Sequence, residues 1–238
     1  KLDLIVTFTT PAALAARSAT TTIPIIIPTA NDPVGTGLAT SLAHPGGNVT
    51  GFAVLSPELS AKRLELLKEV VPRASRVAAL YNAANPVNVI VLRHALEAAR
   101  ILGIRLQAYE VRSVEDFSGA FALIAKQRPD ALIVIGDQLT HQHRGEIAQF
   151  ALRARLPSMF DTKDSVTAGG LMSYGPSYIE MSRNARFYAE KLLRGANPAD
   201  LPFEQASKFE LVVNLKTAKA LGIKVPESIL LRADEIIR

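Results

Sequence analysis

A chain of 238 residues is long enough for one large domain or two small ones, and 48% hydrophobic with 21% charged residues is an ordinary globular balance. The lack of cysteine excludes disulfides and thiolate metal sites, and no apolar run approaches the about 18 residues of a membrane-spanning helix. The net charge of +5 comes from 27 scattered Lys and Arg with only 6% aromatics, which argues against nucleic acid as a partner.

The chain opens inside the strand-like "KLDLIVTF" with no charged and apolar leader, which sets the expectation of further sequence upstream. Strand-length apolar runs then alternate with amphipathic helical stretches. In order, the strand candidates are "DLIVTF", "IPIIIPT", "NVTGFAV", "RVAALYN", "RLQAYEV", "ALIVIG", "PSMFD", "LMSYG" and "FELVVN". Several are apolar throughout, as parallel strands covered on both faces must be. The helices carry their own punctuation. Thr9 or Thr10 caps a helix whose first residue is Pro11, and Ser56-Pro57-Glu58 starts another that carries Leu64, Leu67 and Val71. Gly103 ends the helix containing Leu92 and Ala99, and Ser113 and Asp116 start the one carrying Phe117, Phe121 and Ile124. The alternation predicts an α/β chain with parallel sheets and helices on both faces. Strands crossing near 51–57 and 172–178 would divide it into two hinged lobes, each built from more than one segment.

The stretch "PTANDPVGTGLATSLAHPGGNVTGF" tests a phosphate-binding reading. "GTGLAT" puts Thr40 where a dinucleotide fingerprint needs its third glycine, and no Walker lysine follows, so these glycines are read as turns. Asn31 and Asp32 end a strand before Pro33, and a short helix is expected to follow. Polar groups there lie at the carboxyl end of a parallel strand, where open α/β sheets bind ligands. Thr9 and Thr10 are read either as simple caps or as caps that also hold an anion at the helix start. Asp137 and Asp161 follow strands as well. They fit either a catalytic pair, which no G-x-S-x-G elbow accompanies, or a cationic ligand group such as an ammonium. Asn82, Asn85 and Tyr174 hold comparable strand-end positions. His141 and His143 are read as surface histidines, with no cluster to complete a metal site, and the glycosylation triplet Asn48-Val49-Thr50 as chance.

Five stretches, "TPAALAARSATTTIPIII", "NDPVGTGLATSLAHPGGNVTGF", "LSAKRLELLKEVVP", "AGGLMSYGPSY" and "KFELVVNLKTAKALGIKVP", run in order along nearly the whole chain. Together they resemble the ABC-transporter solute-binding proteins that include tryptophan- and tyrosine-binding members. The resemblance implies a two-lobed type I periplasmic-binding-protein fold with a hinge of crossover strands. Residues 1–54 and 175–200 would form the first lobe, and 55–174 and 201–238 the second. It also implies that the first lobe lacks its amino-terminal strand–helix units, which would favour self-association; the oligomeric state itself is left open. The Thr9–Thr10 loop matches the place where a ligand carboxylate is held, and Asp137 the second-lobe acid that faces an amino group.

The function expected is extracytoplasmic capture of a small organic solute, an amino acid (aromatic or otherwise) or a related carboxylate, with no cofactor, no metal and no catalysis. The solute would pass to a membrane-embedded ABC permease, the protein lying in the periplasm or, in a Gram-positive source, lipid-anchored outside the cell. Two alternatives stay open: the ligand-sensing domain of a regulator with the same fold, and a small-molecule enzyme using Asp137 and Asp161.

Overall fold

The computed structural model describes residues 2–54 and 56–238, without the side chains of residues 56–58. The expected cap at Ser56-Pro57-Glu58 lies outside the described side chains. The chain divides into two compact units, one of residues 1–56 and 176–208, the other of residues 57–175 and 209–238.

The first unit holds a sheet of β1 (Ile5–Val6), β2 (Ile25–Asn31), β3 (Val49–Val54) and β9 (Glu204–Gln205), hydrogen-bonded in that order and all parallel. Helices α1 (Thr10–Ala19) and α8 (Tyr178–Leu193) belong to it. Its core packs Ala13, Ile25, Ile27, Val49, Ala53 and Phe203. Residues 201–208, assigned to the second lobe from sequence, lie here instead. The reason is local: β9 pairs with β3, Phe203 enters this core, and the Thr50 hydroxyl donates to the Leu201 carbonyl at 2.7 Å. Asn48 is 8% exposed and its amide donates to the carbonyls of Thr20 and Ile23, so the triplet it begins is part of the packing.

The second unit holds seven strands in the order β11-β10-β8-β7-β6-β4-β5. They are β4 (Arg76–Asn82), β5 (Arg105–Val111), β6 (Ala131–Val134), β7 (Ser158–Phe160), β8 (Met172–Pro176), β10 (Phe209–Asn214) and β11 (Glu235–Ile237). β4 pairs in parallel with both β5 and β6, and β6–β7, β7–β8 and β10–β11 are parallel too. Around the sheet lie α2 (Ser56–Val70), α3 (Pro86–Ile101), α4 (Asp116–Gln127), α5 (Gln138–Gln142), α6 (Arg144–Arg153), α7 (Lys163–Thr167), α9 (Leu215–Leu221) and α10 (Glu227–Arg232). The central strands β4 and β6 are apolar on both faces because both are covered. Val77 and Ala79 of β4 join the core that holds Leu64, Leu67 and Val91, whereas Ala78 and Leu80 join the one that holds Phe117, Phe121 and Ile147. Every strand expected from sequence is present. β9 and β11 are additions.

The chain leaves β4 to form β5 on one side, then returns to form β6 on the other. The carboxyl ends of β4 and β6 therefore flank the topological switch point of the sheet, the place where such sheets open a crevice.

The glycines of "HPGGNVTG" do separate jobs. Gly46 turns the chain at φ +74°, while Gly51 lies inside β3 at φ +149°. A Cβ on Gly51 would sit 2.0 Å from the Ile27 carbonyl oxygen, beside the register shift between β2 and β3. Gly51→Ala is therefore expected to cost roughly 3 kcal/mol or more, through strain and the forced separation of two core strands. Urea unfolding of the native chain and the variant measures it; a loss under about 0.5 kcal/mol, typical of neutral surface changes, would refute the close-approach argument.

Candidate functional site

In the first unit, Thr9 caps α1, its hydroxyl accepting from the Ala12 amide at 3.3 Å, and Thr10 is buried beside it. Because β1 and β2 are parallel neighbours, this helix start lies next to the end of β2, where the Thr29 hydroxyl donates to the Phe8 carbonyl at 3.0 Å. Asn31 ends β2. Asp32 follows with φ +46°, and its carboxylate accepts from the Gly35 amide at 2.9 Å. The short helix expected after Pro33 is absent; residues 33–37 form successive turns, with the Thr36 amide donating to the Asp32 carbonyl. The left-handed backbone at Asp32 turns its carboxylate onto its own loop. A residue overlooked in sequence adds to this end: the Thr7 hydroxyl is buried without a hydrogen-bond partner among the described residues.

In the second unit the switch point gathers three of the expected residues. Asn82, at the end of β4, donates its side-chain amide to Asp137 Oδ2 at 2.6 Å, and Asn85, the cap of α3, donates to the same oxygen at 3.5 Å. Asp137 caps α5 through a reciprocal box. Its Oδ1 accepts from the Thr140 amide at 3.0 Å, and its own amide donates to the Thr140 hydroxyl at 2.9 Å. Both remaining groups of the asparagines are used: Asn82 Oδ1 accepts from Ala84 N and Asn85 Oδ1 from Val87 N. The result is a carboxylate fixed by neutral donors between two strand ends. One turn into α3, Asn88 is 1% exposed and its amide nitrogen has no partner among the described residues. A buried donor in that condition is costly unless something arrives to accept from it.

Asp161 belongs to a second cluster. It is 6% exposed, and His141 Nε2 lies 3.1 and 3.0 Å from its two oxygens. Arg63, on α2 and 8% exposed, donates to the Tyr174 carbonyl at 2.7 Å. The ring of Tyr174 stacks on Phe209, centroids 6.0 Å apart. His141, read from sequence as a surface histidine, thus carries an ion pair. Nothing in "HQHRGE" signals it, because the partner is 20 residues away; the one local sign is Gly136. A Cβ there would meet Asp161 Oδ2 at 1.9 Å, so the carboxylate packs onto bare backbone. Burial alone would push Asp161 up, but the charge and hydrogen bond of His141 and the charge of Arg63 outweigh it and hold the carboxyl below its ordinary value. Burial likewise lowers His141, and Asp161 more than reverses that, leaving it raised.

An open groove of about 400 Å³ lies elsewhere, along the edge strand β5 and α4, lined by Gln107, Tyr109, Glu110, Arg112 and Leu123 among others. It holds none of the nine residues singled out from sequence. Among the described residues no group of three or more His, Asp or Glu is placed to hold a metal ion, and no helix is long and apolar enough to cross a membrane.

The His141–Asp161 pair fixes the sign of a pH dependence. With its folded pKa above 6.5, His141 contributes stability that is complete below that value and fades as pH rises through the raised one. Asp161 contributes stability present above 3.8 and lost as pH falls through its lowered value. Urea unfolding across pH is expected to show His141→Gln losing most between these limits and converging on the native chain at alkaline pH. Asp161→Ala, which strands two cations, should cost about 3–5 kcal/mol near neutrality. A His141→Gln deficit that grows with pH would contradict the pairing.

The family model described as ABC transporter substrate binding protein matches residues 1–237. The tyrosine-binding protein of Clostridioides difficile (strain R20291) is 30% identical over 225 residues, which is 94% of this chain and 64% of that protein; the chain thus spans under two thirds of its length. Among solved structures, an ABC domain from Streptococcus pneumonia in complex with L-Trp superposes with a TM-score of 0.93 at 28% identity, covering all of this chain and 81% of the other. A conserved domain protein from Vibrio cholerae O1 biovar eltor gives 0.93 at 30% identity, covering 99% of this chain and 79% of the other. The fold is that of type I periplasmic binding proteins, and the chain belongs to the ABC transporter substrate binding protein family.

Proposed function

We propose that this chain captures a small organic solute, an aromatic amino acid such as tyrosine or tryptophan or a closely related carboxylate, and delivers it to the permease of an ABC importer. The observation that carries the reading is the Asn82–Asn85–Asp137 frame at the switch point of the second unit, in a chain matched by the family model nearly end to end. The relative named for tyrosine and the structure holding L-Trp support the aromatic choice. In this reading Asp137 takes the ligand ammonium, and the start of α1 at Thr9 and Thr10 takes the carboxylate at the positive end of the helix dipole. Tyr174, stacked on Phe209, offers an aromatic surface. Asn31 and Asp32 border the first unit's end, and Asp161 is assigned to internal bracing.

Capture proceeds by hinge closure, the ligand stabilising the closed state in proportion to its differential affinity. An aromatic side chain burying about 150–250 Å² contributes roughly 4–6 kcal/mol. A micromolar complex needs about 8 kcal/mol net, so the charge-assisted contacts must supply the rest and offset the association cost. The place of action is the periplasm, or the outer face of the membrane in a Gram-positive source.

The test compares ligands with and without the amino group. Asp137→Ala removes the α5 cap, costing about 0.5–2 kcal/mol of stability, and that loss bears on every ligand alike. The ammonium contact bears only on amino acids. Calorimetric titration is expected to show affinity for L-tryptophan falling 30-fold or more, about 2 kcal/mol, and affinity for indole-3-propionate falling far less. Equal losses, or none, would remove Asp137 from this role. Failure of L-tryptophan and L-tyrosine alike to raise the melting temperature of the native chain would count against the aromatic ligand class.

A further inference from the structure

Helix α5 has five residues and cannot hold itself, since isolated helices below about 12 residues are marginal even with favourable sequences. Its position is set from outside, at both ends. At its start Asp137 is tied to Asn82 and Asn85; at its far end His141 is tied to Asp161. Arg144, opening α6, donates to the His141 carbonyl at 2.7 Å. The charged groups that face the imidazole are Asp161 after β7, Asp137 on its own helix and Arg144 on α6, with Arg63 of α2 acting on Asp161. The His141 side chain is 35% exposed and that of Asp161 only 7%, so the histidine is the partner that exchanges its proton with solvent.

These ties differ in kind. The start of α5 is held by neutral amides and a hydroxyl, which do not titrate near neutrality. The far end is held by a charge-assisted bond while His141 carries its proton. Without it, the neutral Nε2–H tautomer still donates to the ionised Asp161, but the Coulomb attraction between two opposite charges is gone and the tie is weaker. Loss of the proton slackens one anchor of α5 and leaves the other in place.

We propose that His141 is a proton-dependent positioning residue, which when protonated draws α5 onto Asp161 and holds the Asn82–Asn85–Asp137 frame in register for the solute. Solute affinity then declines as the pH rises above neutrality. The affinity arm rests on the frame being the solute site proposed above; the ordering of α5 does not. A merely structural ion pair would alter global unfolding and leave both properties flat.

The test uses the full chain, His141→Gln and His141→Lys. Hydrogen–deuterium exchange is followed at about pH 6 and about pH 8.5, corrected for the intrinsic exchange rate and referenced to α8. Protection of residues 138–142 is expected to fall about fivefold at the higher pH in the native chain, to be low and unchanging in His141→Gln, and to be high and unchanging in His141→Lys. Calorimetry with L-tryptophan at the same two pH values should show the native affinity falling about fivefold more than that of His141→Gln, whose own slope subtracts titration of the ligand amine. Native α5 protection that does not change with pH, or that changes equally in His141→Gln, would overturn the proposal. So would a native affinity that tracks the variant's although α5 responds. If L-tryptophan and L-tyrosine bind at neither pH, the solute assignment fails, and the exchange data alone decide the role of His141.

Discussion

A carboxylate buried at the end of a parallel sheet must be paired, because an unpaired charge there costs several kcal/mol. Asp161 imposes that constraint on the second unit, and much of the surrounding chain meets it. The second residue past β6 has to be Gly136, since any side chain would occupy the space of the carboxylate. The short helix that follows brings His141 round to both oxygens, and α2 contributes the charge of Arg63, whose guanidinium also fixes the Tyr174 carbonyl. Elements far apart in sequence are thereby held at one strand end.

The switch point supplies the complementary arrangement. Sheet order, rather than any local motif, makes neighbours of Asn82 and Asp137, which are 55 residues apart. The capping box at Asp137 satisfies the start of α5 and uses one carboxylate oxygen, while the asparagines use the other. A group fixed on both sides pays little ordering entropy when a ligand arrives, which is the physical content of preorganisation.

The strands were legible because both faces of these sheets are covered, so runs such as "RVAALYN" and "ALIVIG" are apolar without alternation. β9 was not, since Glu204–Gln205 is exposed and joins the sheet through backbone pairing alone. That pairing also displaced the return boundary from residue 200 to 208. For the site, strand-end position identified Asn82, Asn85 and Asp137 one by one. Their convergence was not legible, because adjacency of strand ends depends on the order of the strands. Arg63 and His141 were missed for a related reason: each lies on a helix whose local pattern is that of a solvated face, and the acid that recruits them is distant in sequence. At Asp32 the error was one of backbone. The sequence predicts a turn stiffened by Pro33 and then a short helix, and the left-handed residue before Pro33 closes the carboxylate onto Gly35 instead.

The two acids at the mouth of the second unit, alike in sequence, are set apart by the charge of their partners. Asp161 is met by an imidazole and lies within the field of Arg63, so its charge is spent internally and an incoming ammonium would gain little from it. The hydrogen bonds of Asp137 come from amides and a hydroxyl, which orient the carboxylate without cancelling its charge. Coulomb attraction to a cation at about 4 Å is worth roughly 1 kcal/mol in water and about 4 in the intermediate dielectric near a protein surface. A net negative group held rigid by neutral donors can deliver that attraction without first giving up a cationic partner. In the reading proposed here, that difference makes Asp137 the acid that meets the ligand and Asp161 the one that holds the scaffold.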